Sequence, residues 1–121
     1  MNKLISNLES LQTIDGYLGA GVFDHAGKMI AGVLEVSGIN FENAGMLFQK
    51  MLENAKDLIE KAGFGMVNLV QVDSQLGIIL SKHLTVEDRY YSVILVVKTN
   101  SNLGLTKIKL NQVADKLLAH L

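Results

Sequence analysis

The 121 residues include no cysteine and no proline. The first absence excludes disulfides, thiolate metal sites and a cysteine nucleophile. The second leaves every turn to Gly, Asn, Asp and Ser. Charge of one sign is also lacking: eleven Lys and Arg stand against twelve Asp and Glu, a net charge of −1. Nucleic acid is excluded as a partner on that ground, because neutralising phosphates needs a clustered basic face. Lys107 and Lys109 are too thin a cluster for it. No apolar run reaches the roughly 18 residues of a membrane span, and MNKLISNLESLQ has none long enough for a signal peptide. A cytoplasmic chain with no direct membrane insertion is the expectation. With 49% hydrophobic and 19% charged residues, it should fold as a single domain, residues 1–121.

Catalytic signatures are equally sparse. Gly16, Gly19 and Gly21 superficially suggest a phosphate loop, but no Gly-Lys-Ser/Thr triplet follows, since Met29 comes after Gly27-Lys28. Close backbone approach is the simpler reading of those glycines. His25, His83 and His120 are far apart in sequence and lack metal-ligand spacing. Asp24 and the Glu87-Asp88 pair are turn or loop carboxylates, and acid-base work would need a pocket that perturbs a pKa. Ser74 and Ser81 show no activating base, and a nucleophile without one is unremarkable. Tyr90-Tyr91 puts one ring on each strand face, with no basic groove to make a stacking platform. The expectation is a chain with no catalytic, cofactor-binding or metal-binding residues, and not an enzyme.

What is present in quantity is amphipathic periodicity. From Asn40 to Gly63, the residues Phe41, Ala44, Phe48, Met51, Ala55, Leu58 and Ala62 recur in alternating steps of three and four. This is a long amphipathic helix. Leu47, Leu52 and Ile59 flank the stripe and widen the apolar arc to roughly 140°. Asn40 is a candidate N-cap, Ile39 a staple onto Ala44, and Gly63 the terminator. Met46 falls on the polar side among Glu42, Lys50 and Glu53, either as a scattered surface hydrophobe or as a contact for another protein.

The remaining elements follow in order. Leu4, Ile5, Leu8 and Leu11 define a short helix ending near Asp15-Gly16. YLGAGVFD (17–24) and KMIAGVLEV (28–36) form a hairpin about an Asp24–Gly27 turn. After the long helix come strands at 66–73, 76–82 and 89–98, with a polar loop over 83–88. RYYSVILVVK, almost continuously apolar, suits a central strand. A last helix spans about 103–120, with Leu105 and Ile108 off its apolar face. The long helix must carry the chain between two groups of strands. The fold class expected is therefore α+β: a three-layer sandwich of one five-stranded antiparallel sheet, one long helix on one face and two terminal helices on the other. Strand 66–73 would then lie at the margin. An apolar edge with a single charge, Asp73, and no proline invites pairing with a second copy.

Element order and three strings together resemble the roadblock family, also called the roadblock dynein light chain family. The strings are IDGYLGAGVFDHAGKMIAG (14–32), the long helix with Gly63 and Met66–Asp73, and NLGLTKIKL (102–110). Thr106-Lys107 departs from the more usual apolar residue and Arg. The resemblance implies a roadblock-like, profilin-like sandwich and a non-catalytic dimeric regulator or scaffold of the bacterial or archaeal type. Its implied partner is a small Ras-like GTPase, which it would activate or tether. It also implies a homodimer, or a heterodimer with a roadblock paralogue, in which the strand after the long helix pairs with its counterpart and the long helices lie side by side. The residues carried into that interface are Phe48, Met51, Leu52, Ala55, Leu58, Met66, Val67, Asn68, Leu69 and Val70, with Met46 as the GTPase contact. Two assignments of the helix rows remain open: Leu52 and Ile59 face the sheet, or Leu47, Met51 and Leu58 do. The alternative function is a small-ligand sensor with an apolar pocket between sheet and helix, although no polar cluster in the sequence visibly converges on such a pocket.

Overall fold

The computed structural model describes residues 2–34 and 40–121, with the side chains of residue 2 and residues 41–44 left aside. The break at Ser37-Gly38 and the Ile39 staple onto Ala44 lie outside the described residues and side chains. Chain order is α1 (Asn2–Glu9), a short 3-10 turn (Ser10–Thr13), β1 (Tyr17–Asp24), β2 (Met29–Leu34), α2 (Phe41–Lys61), β3 (Leu69–Asp73), β4 (Ile78–Val86), β5 (Arg89–Val97) and α3 (Leu103–Leu118). All five strands join one sheet in the order β2-β1-β5-β4-β3, and every pairing is antiparallel.

The apolar run of β5 has its reason in this order. As the middle strand, β5 buries Val93, Leu95 and Val97 in the larger core, which also takes Leu4, Leu8 and Leu11 and, from α3, Leu110, Val113, Ala114 and Leu117. Its alternate residues Ile94 and Val96 point the other way, into a smaller cluster with Phe23, Leu18, Met29, Phe48 and Ile79. A strand covered on both faces needs no polar alternation. Helices thus lie on both faces of one antiparallel sheet, α1 and α3 on one side and α2 on the other, as the element order predicted. Leu105 and Ile108 are exposed, as their off-face positions require.

Three local findings place α2. Asp24 Oδ1 accepts from the N–H groups of Ala26 and Lys28 at 2.9 and 3.0 Å, which closes the β1–β2 turn and accounts for that carboxylate. The same turn puts Gly27 (φ 83°) directly under α2. A Cβ on Gly27 would stand 2.5 Å from Met46 Cα, and one on Gly45 would stand 2.6 Å from the Phe23 ring and strike the Gly27 carbonyl. Two glycines therefore set how closely the N-terminal half of α2 approaches the sheet. At its other end, Gly63 (φ 82°) donates to Glu60 O at 3.1 Å and Phe64 N donates to Ile59 O at 3.1 Å. That pair of bonds is a Schellman cap, so Gly63 terminates the helix as its sequence position suggested.

Two boundaries differ from expectation by three residues or more. Residues 66–68 precede the strand rather than begin it, because β3 starts at Leu69. Residues 83–86, expected in a polar loop, extend β4, and the chain reverses in only two residues, Glu87-Asp88. Leu84 and Val86 keep the strand alternation going through the polar residues between them, and the polar count of the segment concealed this. Glu87 takes the turn's left-handed conformation at φ 58°, uncommon for a residue with a Cβ.

Candidate functional site

Two surfaces follow from the placement of α2. The outer one joins the solvent side of α2 to the sheet margin. Gly45, Gln49 and Leu52 are buried toward the sheet, so the row of α2 facing inward runs through them, and Lys56 follows half-buried. Of the two open assignments, the structure selects the one with Leu52 inward. Leu47 and Leu58 are each 68% exposed.

The residues carried into the expected dimer interface do not behave alike. Leu58 and Met66 are open to solvent, and Met51, Ala55, Val67 and Val70 are half-buried on α2, on β3 or in the link between them. Asn68 is exposed just before β3. Leu52 is a correction. At 1% exposure beneath α2 it belongs to the protein's own interior and has no surface left for a partner. Phe48 is partly spent in the same way, against the Phe23 and Ile94 cluster, and Leu69 packs against the larger core. Met46 is 57% exposed on the N-terminal half of α2.

Phe64 was missed by the periodicity. It is 79% exposed one residue past the Schellman glycine, where a hydrophobic residue frequently folds back onto the last turn. Its position after Gly63 was the available signal. β3 is the sheet margin, bonded only to β4 among the described strands, as the edge argument required. Leu47, Leu58, Phe64 and Met66 thus lie along the helix and link that lead to an open strand edge. An exposed series of large apolar residues beside an unpaired edge is the usual character of an association surface.

The inner surface is a cleft between the C-terminal half of α2 and the β4–β5 hairpin. Leu52, Lys56, Glu60, Met66, Val67, His83, Thr85 and Tyr90 enclose a cavity of about 210 Å³. A smaller neighbour of about 130 Å³ shares Leu52, Lys56, His83 and Tyr90 and adds His25, Gln49 and Glu53. The Tyr90 and His83 rings lie 5.3 Å apart, tilted by 33°, and Lys56 Nζ sits 5.0 Å from the Tyr90 ring centre. Burial first, and the Lys56 ammonium second, hold the His83 pKa below its ordinary 6.5, so the ring is neutral at pH 7. Neither ring nitrogen of His83 has a hydrogen-bond partner, nor does Gln49 Oε1. His25 and His83, remote in sequence, thus border one cavity, whereas His120 lies just past α3. Among the described residues no group of three His, Cys, Asp or Glu side chains could hold a metal ion. No helix among them is long and apolar enough to cross a membrane.

Helices on both faces of a five-stranded antiparallel sheet place the chain in the α+β sandwich class. No protein-family model matches the chain. Solved structures do. MglB of Myxococcus xanthus aligns with a TM-score of 0.85 at 13% identity, covering 98% of this chain and 94% of that one. An MglB in a tetrameric arrangement gives 0.84 at 14% identity over 98% and 87%. A Roadblock/LC7 domain from Streptomyces avermitilis gives 0.78 at 10% identity over 99% and 96%. The chain has the roadblock fold. Among curated proteins, 71 residues, 59% of the chain, are 28% identical to xanthine phosphoribosyltransferases of Streptococcus pneumoniae strains. The match takes in 35% of those enzymes, so the chain spans about a third of the length of the curated relatives it matches.

Proposed function

We propose that this chain is a non-catalytic module that dimerises through the β3 edge and the outer face of α2, and in that form regulates or scaffolds a small Ras-like GTPase in the cytoplasm. The observation that carries the reading is the unpaired β3 margin next to exposed Leu58, Phe64 and Met66. Pairing β3 with its own counterpart extends the sheet across a two-fold axis and brings the two α2 helices together, which satisfies the edge and covers the apolar row at once. An MglB described in a tetrameric arrangement on the same fold supports self-association. The GTPase partner rests on the sequence resemblance to the roadblock family and on the likeness to MglB. Met46, exposed on α2, is the residue proposed to touch that partner. The phosphoribosyltransferase match spans too little of those enzymes to carry their activity.

Light scattering of the full chain at micromolar concentration tests the first step. A dimer is expected, and a clean monomer overturns it. A pull-down with each small Ras-like GTPase of the same organism, loaded with GDP or a GTP analogue, tests the second. Binding in at least one nucleotide state is expected, and absence of binding in both refutes the pairing.

A further inference from the structure

The two faces of the sheet are held by different means. On the α1–α3 face the core is apolar, and Thr106, buried in α3, donates its hydroxyl to Asn102 O at 2.7 Å. On the α2 face the polarity is unpaired. Five buried side-chain polar atoms among the described residues have no hydrogen-bond partner, and four of them lie between α2 and the sheet: Gln49 Oε1, Ser81 Oγ and both ring nitrogens of His83. Ser81 stands opposite Ile94, a member of the cluster under α2, and His83 lies two residues along β4 on the same side. None of the four is open to solvent while α2 is docked, so their desolvation goes uncompensated. Anchorage is uneven along the helix as well. Its N-terminal half is seated by the contact of Gly45 with Gly27 and Phe23, and by Phe48. Beyond Leu52, no residue from 53 to 61 is buried.

We propose that the C-terminal half of α2 is a displaceable element: it lifts from the sheet about the Gly27–Gly45 contact, wets Gln49, Ser81 and His83 together, and is driven to that position by acid. Water supplies in the lifted position the partners that the docked position withholds, which offsets the loss of the Leu52 contact. The charged and titratable groups around His83 are Lys56, Glu53 and Glu60 of α2, His25 of the β1–β2 turn and Tyr90 of β5. Burial first, and Lys56 second, disfavour the imidazolium while the helix is docked. Lifting removes both, so the lifted position accepts a proton that the docked one resists, and acidification shifts the balance toward it. Glu53 and Glu60 are exposed and leave with the helix. The opening belongs to the contact between helix and sheet, and stands whether or not a second copy meets the outer face of α2.

Native-state hydrogen exchange of the full chain, read by NMR and corrected for the intrinsic rate at each pH, tests this. Amides 53–58 should exchange together, at least about tenfold faster than those of β5 and α3, through an opening with a smaller denaturant slope than global unfolding. Ser81→Ala and Gln49→Met remove unpaired polarity from the docked position, so each should slow that exchange severalfold relative to β5, an effect that simple fraying of the helix end would not show. Lowering the pH from 7.5 to 5.5 should speed it severalfold in the natural chain and leave it nearly unchanged in His83→Gln. Protection of 53–58 equal to that of β5 overturns the proposal. So does exchange that is unmoved by Ser81→Ala, or by the change of pH in the natural chain. If Gln49→Met does not fold, Ser81→Ala decides alone.

Discussion

Leu52 links α2 to the sheet from a position 1% exposed, and Leu52→Ala would remove that side chain with nothing placed to fill the space. A loss of about 2–4 kcal/mol in denaturant unfolding is expected. Glu87 is the opposite case. Its φ of 58° opposes its Cβ, so Glu87→Gly should raise stability by about 1 kcal/mol, read as a higher midpoint with an unchanged slope. His83 carries a pH signature. The unfolded chain binds its proton with ordinary affinity near pH 6.5, while the folded protein, through burial and the Lys56 charge, binds it more weakly. The unfolded state therefore takes up more protons on acidification. The contribution of His83 is complete above about pH 6.5 and is lost as pH falls through that value toward the folded-state pKa. Melting temperatures from pH 8 to 5 should fall less steeply for His83→Gln than for the natural chain.

At the scale of the element, α2 shows what a sequence reveals about a helix and what it hides. Its length, its Gly63 terminus and its wide apolar arc follow from spacing alone. Which row faces inward does not, because hydrophobicity ranks Leu47 and Leu58 with Leu52, and only docking geometry separates them. That geometry is set by Gly27 and Gly45, residues with no hydrophobic signal, which allow one end of the helix to approach the sheet. Their closeness pulls Gln49 under and leaves Leu47 out. Gly27→Ala should push α2 off the sheet and cost about 2 kcal/mol or more, since it adds a left-handed backbone penalty to a clash with Met46. Faster hydrogen exchange of the α2 amides would locate the damage. The cleft was illegible for a related reason. Residues 25, 49, 56, 83 and 90 come from a turn, a helix and two strands, and no spacing rule joins them. The β4–β5 hairpin explains half of the gap, because a loop over 83–88 would have left His83 and Thr85 outside the sheet.

At the scale of the whole molecule, the sheet order β2-β1-β5-β4-β3 was legible in outline: an apolar central strand, a hairpin on one side and an edge following the long helix. Leu58 and Met66 test what that edge is for. Both are largely exposed, so Leu58→Glu combined with Met66→Glu should change the stability of the single chain by no more than about 1 kcal/mol. The same pair should shift light-scattering mass from dimer to monomer at micromolar concentration. An unchanged dimer mass would place self-association on another face.

The central position of β5 also sets a timetable for synthesis. Its seven matched positions with β1 are the only strand pairing among the described residues that joins the first hairpin to the later strands, yet residues 89–97 are made after the other four strands. Until they leave the ribosome, the hairpin and the β3–β4 strands are separate pieces with no shared middle. The N-terminal segment packs on β1 and β2, but Leu8 and Leu11 lack the part of their core that α3 brings until α3 too is made. Assembly of this sheet is thus completed from the C-terminal end, and a chain stopped before Arg89 exposes two incomplete halves to whatever reaches them first.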